Sequence, residues 1–192
     1  YAPFSSMWTL ARDIASSTRT DGDAHEPWKV DQLTRKVFVH SLTCILQPAE
    51  AELLREAFSA AGGHVEPAGL SAEGRAVHAL MTAANHSIAD AGLRQLPAEM
   101  QARLTALSPL EHIKHLRAPL ILLLHDVGDQ VVPVGESRRL VAALSGRSGV
   151  QYTEMHFSHL DPTKGRLPPW RLLRELGKFF QAMLPLFRQS VP

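Results

Sequence analysis

The stretch Pro119-Leu120-Ile121-Leu122-Leu123-Leu124-His125-Asp126 decides the fold. A continuous apolar run of this length is typical of a strand that is buried on both faces of a parallel sheet. The sequence after it predicts a helix over about 135–145 and a second strand over about 150–156, which together form a parallel βαβ unit with a right-handed crossover. A long helix over about 168–187 follows.

The part of the chain before this unit, residues 4–116, predicts mainly helices that are separated by proline, glycine and capping residues. The predicted helices span about 31–46, with Asp31 as N-cap, and then begin at Pro48, at Ser71 and near Pro97. Ser108-Pro109-Leu110-Glu111 predicts a capping box at the start of a further short helix. We therefore predict an α/β protein in which a helical region precedes the βαβ unit.

The spacing of apolar residues also predicts which face of the 31–46 helix is buried. One stripe along that helix contains Leu33, Val37, Ser41, Cys44 and Ile45. Because residues three and four apart share a helix face, we expect this stripe to face the core, with Cys44 as a small buried apolar residue.

Two parallel strands that are buried on both faces do not form a stable domain by themselves. We therefore expect the 119–125 strand to keep one open edge within this chain. The apolar faces meant for further strands would then be exposed, filled by a partner chain or covered by an unusual repacking, and an exposed sheet edge favours self-association.

Composition excludes several classes of protein. Among 192 residues, Lys and Arg number 20 against 19 for Asp and Glu, and a net charge of +1 gives no electrostatic basis for binding nucleic acid. The single cysteine, Cys44, excludes an internal disulfide framework and any Cys-rich metal site. The longest apolar run, Ala118 to Leu124, has seven residues, whereas a membrane span needs about 20. We predict a soluble, cytoplasmic protein.

A carboxylate and an imidazole, which can act together in proton transfer, follow the two predicted strands. Asp129 lies just past the end of the first strand and His159 just past the end of the second. Since ligands of an open α/β sheet bind beyond the carboxyl ends of its strands, both residues are expected at one edge. A carboxylate there would orient the imidazole and stabilise its protonated form. The alternative is a turn-capping aspartate and a surface histidine in two ordinary loops.

The segment from Pro119 to Pro133, together with Phe157-Ser158-His159, resembles the C-terminal part of α/β-hydrolase-fold proteins. These proteins typically show an apolar strand, a His-Gly pair, an Asp-x-x-Val-Pro loop and a catalytic histidine about 30 residues later; here Asp129 and His159 are 30 residues apart. The resemblance implies a partial α/β-hydrolase fold, with residues 1–108 as a helical cap and residues 109–192 as the C-terminal part of the core. It also implies a serine hydrolase for an ester or related acyl bond of a small-molecule substrate, with Asp129 and His159 as catalytic acid and histidine.

Two departures from the family's pattern affect this hypothesis. Asp126 stands where the family usually has glycine, so Asp126 is the alternative catalytic acid and His125 is assigned a structural hydrogen bond. No Gly-x-Ser-x-Gly elbow is present, and the nearest approach, at Ser71, is better explained as a helix N-cap. We therefore expect the nucleophile to precede residue 1, and this chain alone to be inactive. The alternative function is a non-catalytic binding or scaffold protein that keeps the fold without a working triad.

The remaining motifs favour no cofactor and no metal. His156-x-x-His159 and His112-x-x-His115 lack an obvious third His or Cys ligand. The last helix carries several basic residues and two apolar stripes. One stripe contains Trp170, Leu173, Gly177, Phe180, Leu184 and Phe187, and the other contains Leu172, Leu176, Phe179, Met183 and Leu186. Such a helix either lies at a membrane surface or packs on the sheet as the terminal helix of the fold, and we favour the second role.

Overall fold

The computed structural model describes residues 2–60, 63–156 and 168–189. Within them the protein is a mixed α/β structure with two small sheets. The elements in chain order are α1 (Met7–Ser16), β1 (Thr18–Asp21), β2 (Ala24–Pro27), α2 (Gln32–Thr43), α3 (Pro48–Phe58), α4 (Ala72–Met81), α5 (His86–Gln95), α6 (Ala98–Ala106), α7 (Pro109–His112), β3 (Ile121–Asp126), α8 (Val134–Ala143), β4 (Val150–Met155) and α9 (Pro169–Gln189), with short 3-10 turns at Pro67–Gly69 and Ile113–His115.

The helical region has one apolar core to which α1 to α6 all contribute. Its most deeply buried large side chains are Leu42, Leu54, Val77, Leu80 and Leu93. The prediction that residues 4–116 are mainly helical is confirmed, although helices α1 and α5 and the antiparallel hairpin β1–β2 were not predicted.

Helix α2 begins where the sequence predicted, but it buries a different face. The Asp31 carboxylate caps it by accepting from the backbone N–H groups of Leu33 and Thr34. The predicted stripe is wrong: Leu33 is 68% exposed, Val37 is 57% exposed and Cys44 is exposed. Phe38, Val39, Leu42 and Thr43 are buried instead. This orientation removes a phenyl ring and two aliphatic side chains from water. The predicted face, which includes a serine and a cysteine, would bury less apolar area.

Ser108 precedes α7, but the predicted capping box is not formed. The Ser108 hydroxyl makes no capping bond to the helix it precedes. It donates instead to Leu104 O at 2.7 Å and accepts from Met7 N at 2.9 Å. A single hydroxyl therefore joins the end of α6 to the start of α1, which is a tertiary role that local sequence spacing does not reveal.

The predicted parallel βαβ unit is confirmed. Strands β3 and β4 pair in parallel from Ile121 opposite Val150 to Asp126 opposite Met155. Helix α8 packs on one face of this pair around Leu123, and α9 packs on the other face around Leu124. Each sheet face is therefore covered by a helix of this chain, so of the expected alternatives the exposed strand faces are not observed among the described residues.

The expectation of an open sheet edge is met within the residues that the structure describes. On the side of β3 away from β4, no described strand pairs with it. One backbone hydrogen bond lies there, from Ala2 N to Leu124 O at 2.8 Å. The N-terminal segment thus covers a single position of that edge.

Candidate functional site

The loop after β3 is organised by two carboxylates. Asp126, at the end of the strand, is 4% exposed, and its Oδ1 accepts from Gly128 N at 2.9 Å. Asp129 is half-buried, and its Oδ1 accepts from Val131 N at 2.7 Å and from Val132 N at 3.0 Å. Both side chains therefore hold this loop in shape at the carboxyl end of the sheet, which is where the sequence predicted Asp129.

The second member of the predicted pair, His159, lies outside the described residues. The structure thus places Asp129 but does not show whether His159 reaches it. The Asp129–His159 hydrogen bond stays a prediction, and Asp126 stays the alternative acid.

His125 supports the same loop by a hydrogen bond to its backbone, as the sequence predicted. Its side chain is fully buried, and Nε2 donates to Val132 O at 3.0 Å. Nδ1 contacts the Ser137 hydroxyl, which also donates to Pro3 O at 2.8 Å. Burial lowers the pKa of His125, and the nearby carboxylates of Asp129, Asp126 and Glu154 only partly oppose that effect.

Glu136 is a buried carboxylate whose role the sequence did not predict. It is fully buried at the start of α8 and accepts from Ser5 N at 2.8 Å, from Ser6 N at 3.2 Å and from Thr9 Oγ1 at 2.6 Å. Arg139 forms an ion pair with it. Burial raises the pKa of Glu136, but the Arg139 charge and the donated hydrogen bonds outweigh burial and lower the pKa below its ordinary value. In sequence it is indistinguishable from an ordinary acidic residue in a first helical turn.

A second ionic contact joins the β1–β2 hairpin to strand β4 of the parallel sheet. Arg138 binds Glu154 with both ends of its guanidinium, Nε to Oε1 at 2.7 Å and Nη2 to Oε2 at 2.8 Å, and it also pairs with Asp21 of β1. Gly135 lies so close to the hairpin that a Cβ atom there would be 2.0 Å from Thr20 O. The helical region and the βαβ unit are therefore in close contact beside the Asp129 loop.

A cavity of about 570 Å³ lies next to this loop. Gln130, the residue after Asp129, lines it from the loop, while Trp28 and Lys29 line it from the segment between β2 and α2. The polar part of its lining also includes Arg35 of α2, Ser17 of the turn after α1, Asp31, Gln32 and Ser59. A volume of this size is typical of small-molecule sites. No spacing in the sequence pointed to these residues.

The remaining sequence candidates have other roles or fall outside the described residues. The Ser71 hydroxyl accepts from Gly74 N at 2.9 Å and donates to Glu50 Oε2 at 2.8 Å, so it is the helix cap that was predicted. His112 Nε2 is bonded to Ala106 O at 2.8 Å. Over residues 2–60, 63–156 and 168–189, no group of three His, Cys, Asp or Glu side chains is arranged to hold a metal ion.

Comparison with known proteins adds no assignment, because no family model, no curated protein and no solved structure matches this chain. None of the helices in the described part of the chain is both long enough and apolar enough to cross a membrane.

Proposed function

We propose that this chain carries the catalytic acid and histidine of a serine hydrolase of the α/β-hydrolase type, which acts on an ester or related acyl bond of a small molecule. The observation that carries the proposal is the position of Asp129, in an ordered loop at the carboxyl end of a parallel strand pair and directly before Gln130 of the 570 Å³ cavity. That is the edge at which α/β proteins bind their ligands. The cytoplasmic location stays a prediction.

The chemistry assigned to each residue follows from its type. His159 takes the proton from a serine hydroxyl as that hydroxyl attacks the acyl carbon, and then gives the proton to the leaving oxygen. Asp129 accepts a hydrogen bond from the ring and stabilises its protonated form. The serine comes from polypeptide outside this chain, because no serine here has the Gly-x-Ser-x-Gly surroundings of a strained elbow. The open edge of β3 offers a place for such a segment to pair.

Reaction with an active-site-directed probe tests the proposal. The 192-residue chain should show no hydrolysis of p-nitrophenyl acetate above background and no labelling by a fluorophosphonate. The full-length product of its gene should show both. His159→Ala and Asp129→Asn should each reduce hydrolysis by about 10⁴-fold, the size of effect when the acid of such a triad is neutralised. His115→Ala, a change of an exposed histidine, is the control and should leave activity unchanged.

Two results would contradict this assignment. Labelling of the isolated chain at Ser71, Ser158 or any other serine would show that the nucleophile does not lie outside it. Full activity in Asp129→Asn with loss in Asp126→Asn would move the acid to Asp126.

The second candidate is a non-catalytic binding protein, and an exposed apolar stripe on α9 favours it. Trp170, Leu173, Phe180, Leu184 and Phe187 lie on one face of this helix and are 47–70% exposed. An exposed apolar surface of this kind marks an interaction site. We infer that its occupant is a second copy of the chain, because Glu175 pairs with both Arg174 and Lys178 and so reduces the positive charge that these two side chains offer to anionic lipid.

A further inference from the structure

Arg35 is a half-buried cation for which the described part of the chain supplies no carboxylate partner. Its Nη2 donates to Ser17 Oγ at 2.9 Å, and no described Asp or Glu lies within ion-pair distance of it. Three other partly buried arginines have a carboxylate partner: Arg12 pairs with Asp13, Arg138 with Glu154 and Arg139 with Glu136. Since a guanidinium has five N–H groups in a planar fork, the one hydrogen bond that Arg35 makes within the described residues uses only part of its donors.

Arg35 borders two cavities. It lines the 570 Å³ cavity beside the Asp129 loop and also a neighbouring cavity of about 250 Å³. Lys29 adds a second positive charge to the larger cavity. Asp31 lines it too, but its Oδ1 is used by the backbone N–H groups of Leu33 and Thr34.

An unpaired cation in this position is costly to the free protein. Burial lowers the pKa of Arg35, which reports that water is being removed from the charge without compensation. Arginine nevertheless stays protonated at neutral pH. A negatively charged ligand group would supply the missing partner, and the guanidinium fork matches the two oxygens of a carboxylate or phosphate.

Part of the cavity lining is apolar. Trp28, which is only 5% exposed, lines the cavity together with Val30 and Ala60. A ligand that fills the cavity therefore has an apolar part against Trp28 and an acidic end at Arg35.

We propose that the cavity binds an amphipathic small molecule whose acidic oxygen group, a carboxylate or a phosphate, is held by Arg35. This inference rests on the proposed function for one point only: that the ligand is the substrate, an ester whose acidic group lies at Arg35 while its acyl bond lies toward Gln130 and the Asp129 loop. The binding site itself does not depend on hydrolysis.

Calorimetric titration of the 192-residue chain with three probes of the same skeleton tests the site. The probes are 4-phenylbutyrate, 4-phenylbutyl phosphate and the neutral 4-phenylbutyramide. At least one anionic probe should bind about ten- to a hundredfold more tightly than the amide, because hydrogen bonds to charged groups contribute that much. The tighter anion identifies the acidic group as carboxylate or phosphate.

Variants assign the preference to Arg35. Arg35→Gln should remove the preference for the anion, and Arg35→Lys should keep part of it because the charge remains. Arg55→Gln is the matched control, since Arg55 is also half-buried and donates to a hydroxyl, that of Thr43 at 2.8 Å, but lies outside the cavity. Unchanged circular dichroism and thermal midpoint confirm that each variant is folded.

Equal binding of anions and amide by the unchanged protein, no binding of any probe, or a preference that survives in Arg35→Gln would overturn the inference. The proposed hydrolase function is tested separately by fluorophosphonate labelling. Anion binding without fluorophosphonate labelling in the full-length protein would therefore support the binding site and contradict the hydrolase function.

Discussion

At the scale of single residues, Glu136 has the most densely bonded side chain of the described network around α8. It is fully buried and joins the N-terminal segment, through Ser5 and Thr9, to Arg139 on its own helix. Removing one partner of a buried ion pair leaves the other charge desolvated and unpaired, whereas exposed pairs contribute little. The two kinds of pair can be compared within this one protein.

Glu136→Gln should lower the free energy of unfolding by about 3–5 kcal/mol, because the half-buried Arg139 loses the buried carboxylate that neutralises it. Urea titration followed by circular dichroism measures this change. Glu99→Gln is the control: Glu99 pairs with Arg103 at 2.6 Å, but both side chains are more than half exposed, so the expected loss is below about 1 kcal/mol. Equal losses in the two variants would contradict the assigned role of Glu136.

At the scale of elements, the sequence predicted structure where a strong periodic or apolar signal existed. The run through Leu122 and Leu123 has five consecutive aliphatic residues, so β3 and its parallel partner were predictable. The hairpin β1–β2 was not, because its strands, Thr18–Asp21 and Ala24–Pro27, contain no alternating apolar pattern. The Gly22-Asp23 pair in its turn, with Gly22 at a φ of +58°, was the one available signal.

The buried face of α2 shows a different kind of limit. Both faces of this helix carry apolar residues, and only tertiary contacts choose between Val37 and Phe38. The Asp129 loop, in contrast, was predictable because it directly follows an apolar strand.

The role of Arg35 was not predictable. It depends on which side chains surround Arg35 in three dimensions, where no described acidic residue forms an ion pair with it.

The stripe on α9 leads to a prediction at this scale. Sedimentation velocity of the chain should show self-association that increases with concentration, because burying the exposed side chains of the stripe removes apolar surface from water. Leu173→Glu and Phe180→Glu should shift the protein to monomer. Leu33→Glu, which changes a residue 68% exposed on α2, should not.

A chain that is monomeric at all concentrations would contradict this prediction. Monomers that sediment with vesicles containing anionic lipid would assign the stripe to a lipid surface instead.

At the scale of the whole molecule, the N-terminal segment connects the two parts of the structure. Its backbone bonds to β3 through Ala2, to Ser137 through Pro3 and to the short helix α7 through Ser5. His125 is next to this junction, because its side chain contacts Ser137. Protonation of one buried ring therefore acts on the contact between the helical region and the βαβ unit.

The stability of the whole protein should accordingly fall on mild acidification. Burial lowers the pKa of His125 in the folded state, despite the charges of Asp126, Asp129 and Glu154, so between that pKa and about 6.5 the unfolded chain binds the proton more readily. The contribution is complete above about pH 6.5 and is lost as the pH falls toward the folded pKa, with a slope of at most about 1.4 kcal/mol per pH unit.

Urea unfolding at a series of pH values from 7.5 to 5 measures the slope. His125→Gln should flatten it, since a glutamine amide keeps a donor for Val132 O but does not titrate. His115→Gln, at an exposed position, should leave it unchanged. A profile that is flat in the unchanged protein, or equally steep in His125→Gln, would show that His125 is not its source.

The open edge of β3 has a consequence for how an active enzyme can be assembled. Backbone hydrogen-bonding groups along that edge are available to another strand, and Ala2 occupies one position. Strand pairing requires alignment but no peptide bond between the partners. If the proposed function holds, a separately expressed polypeptide that carries the serine-bearing strands should reconstitute activity when it is mixed with this chain. The edge of β3 would then be a suitable site at which to divide the protein for a split-protein reporter.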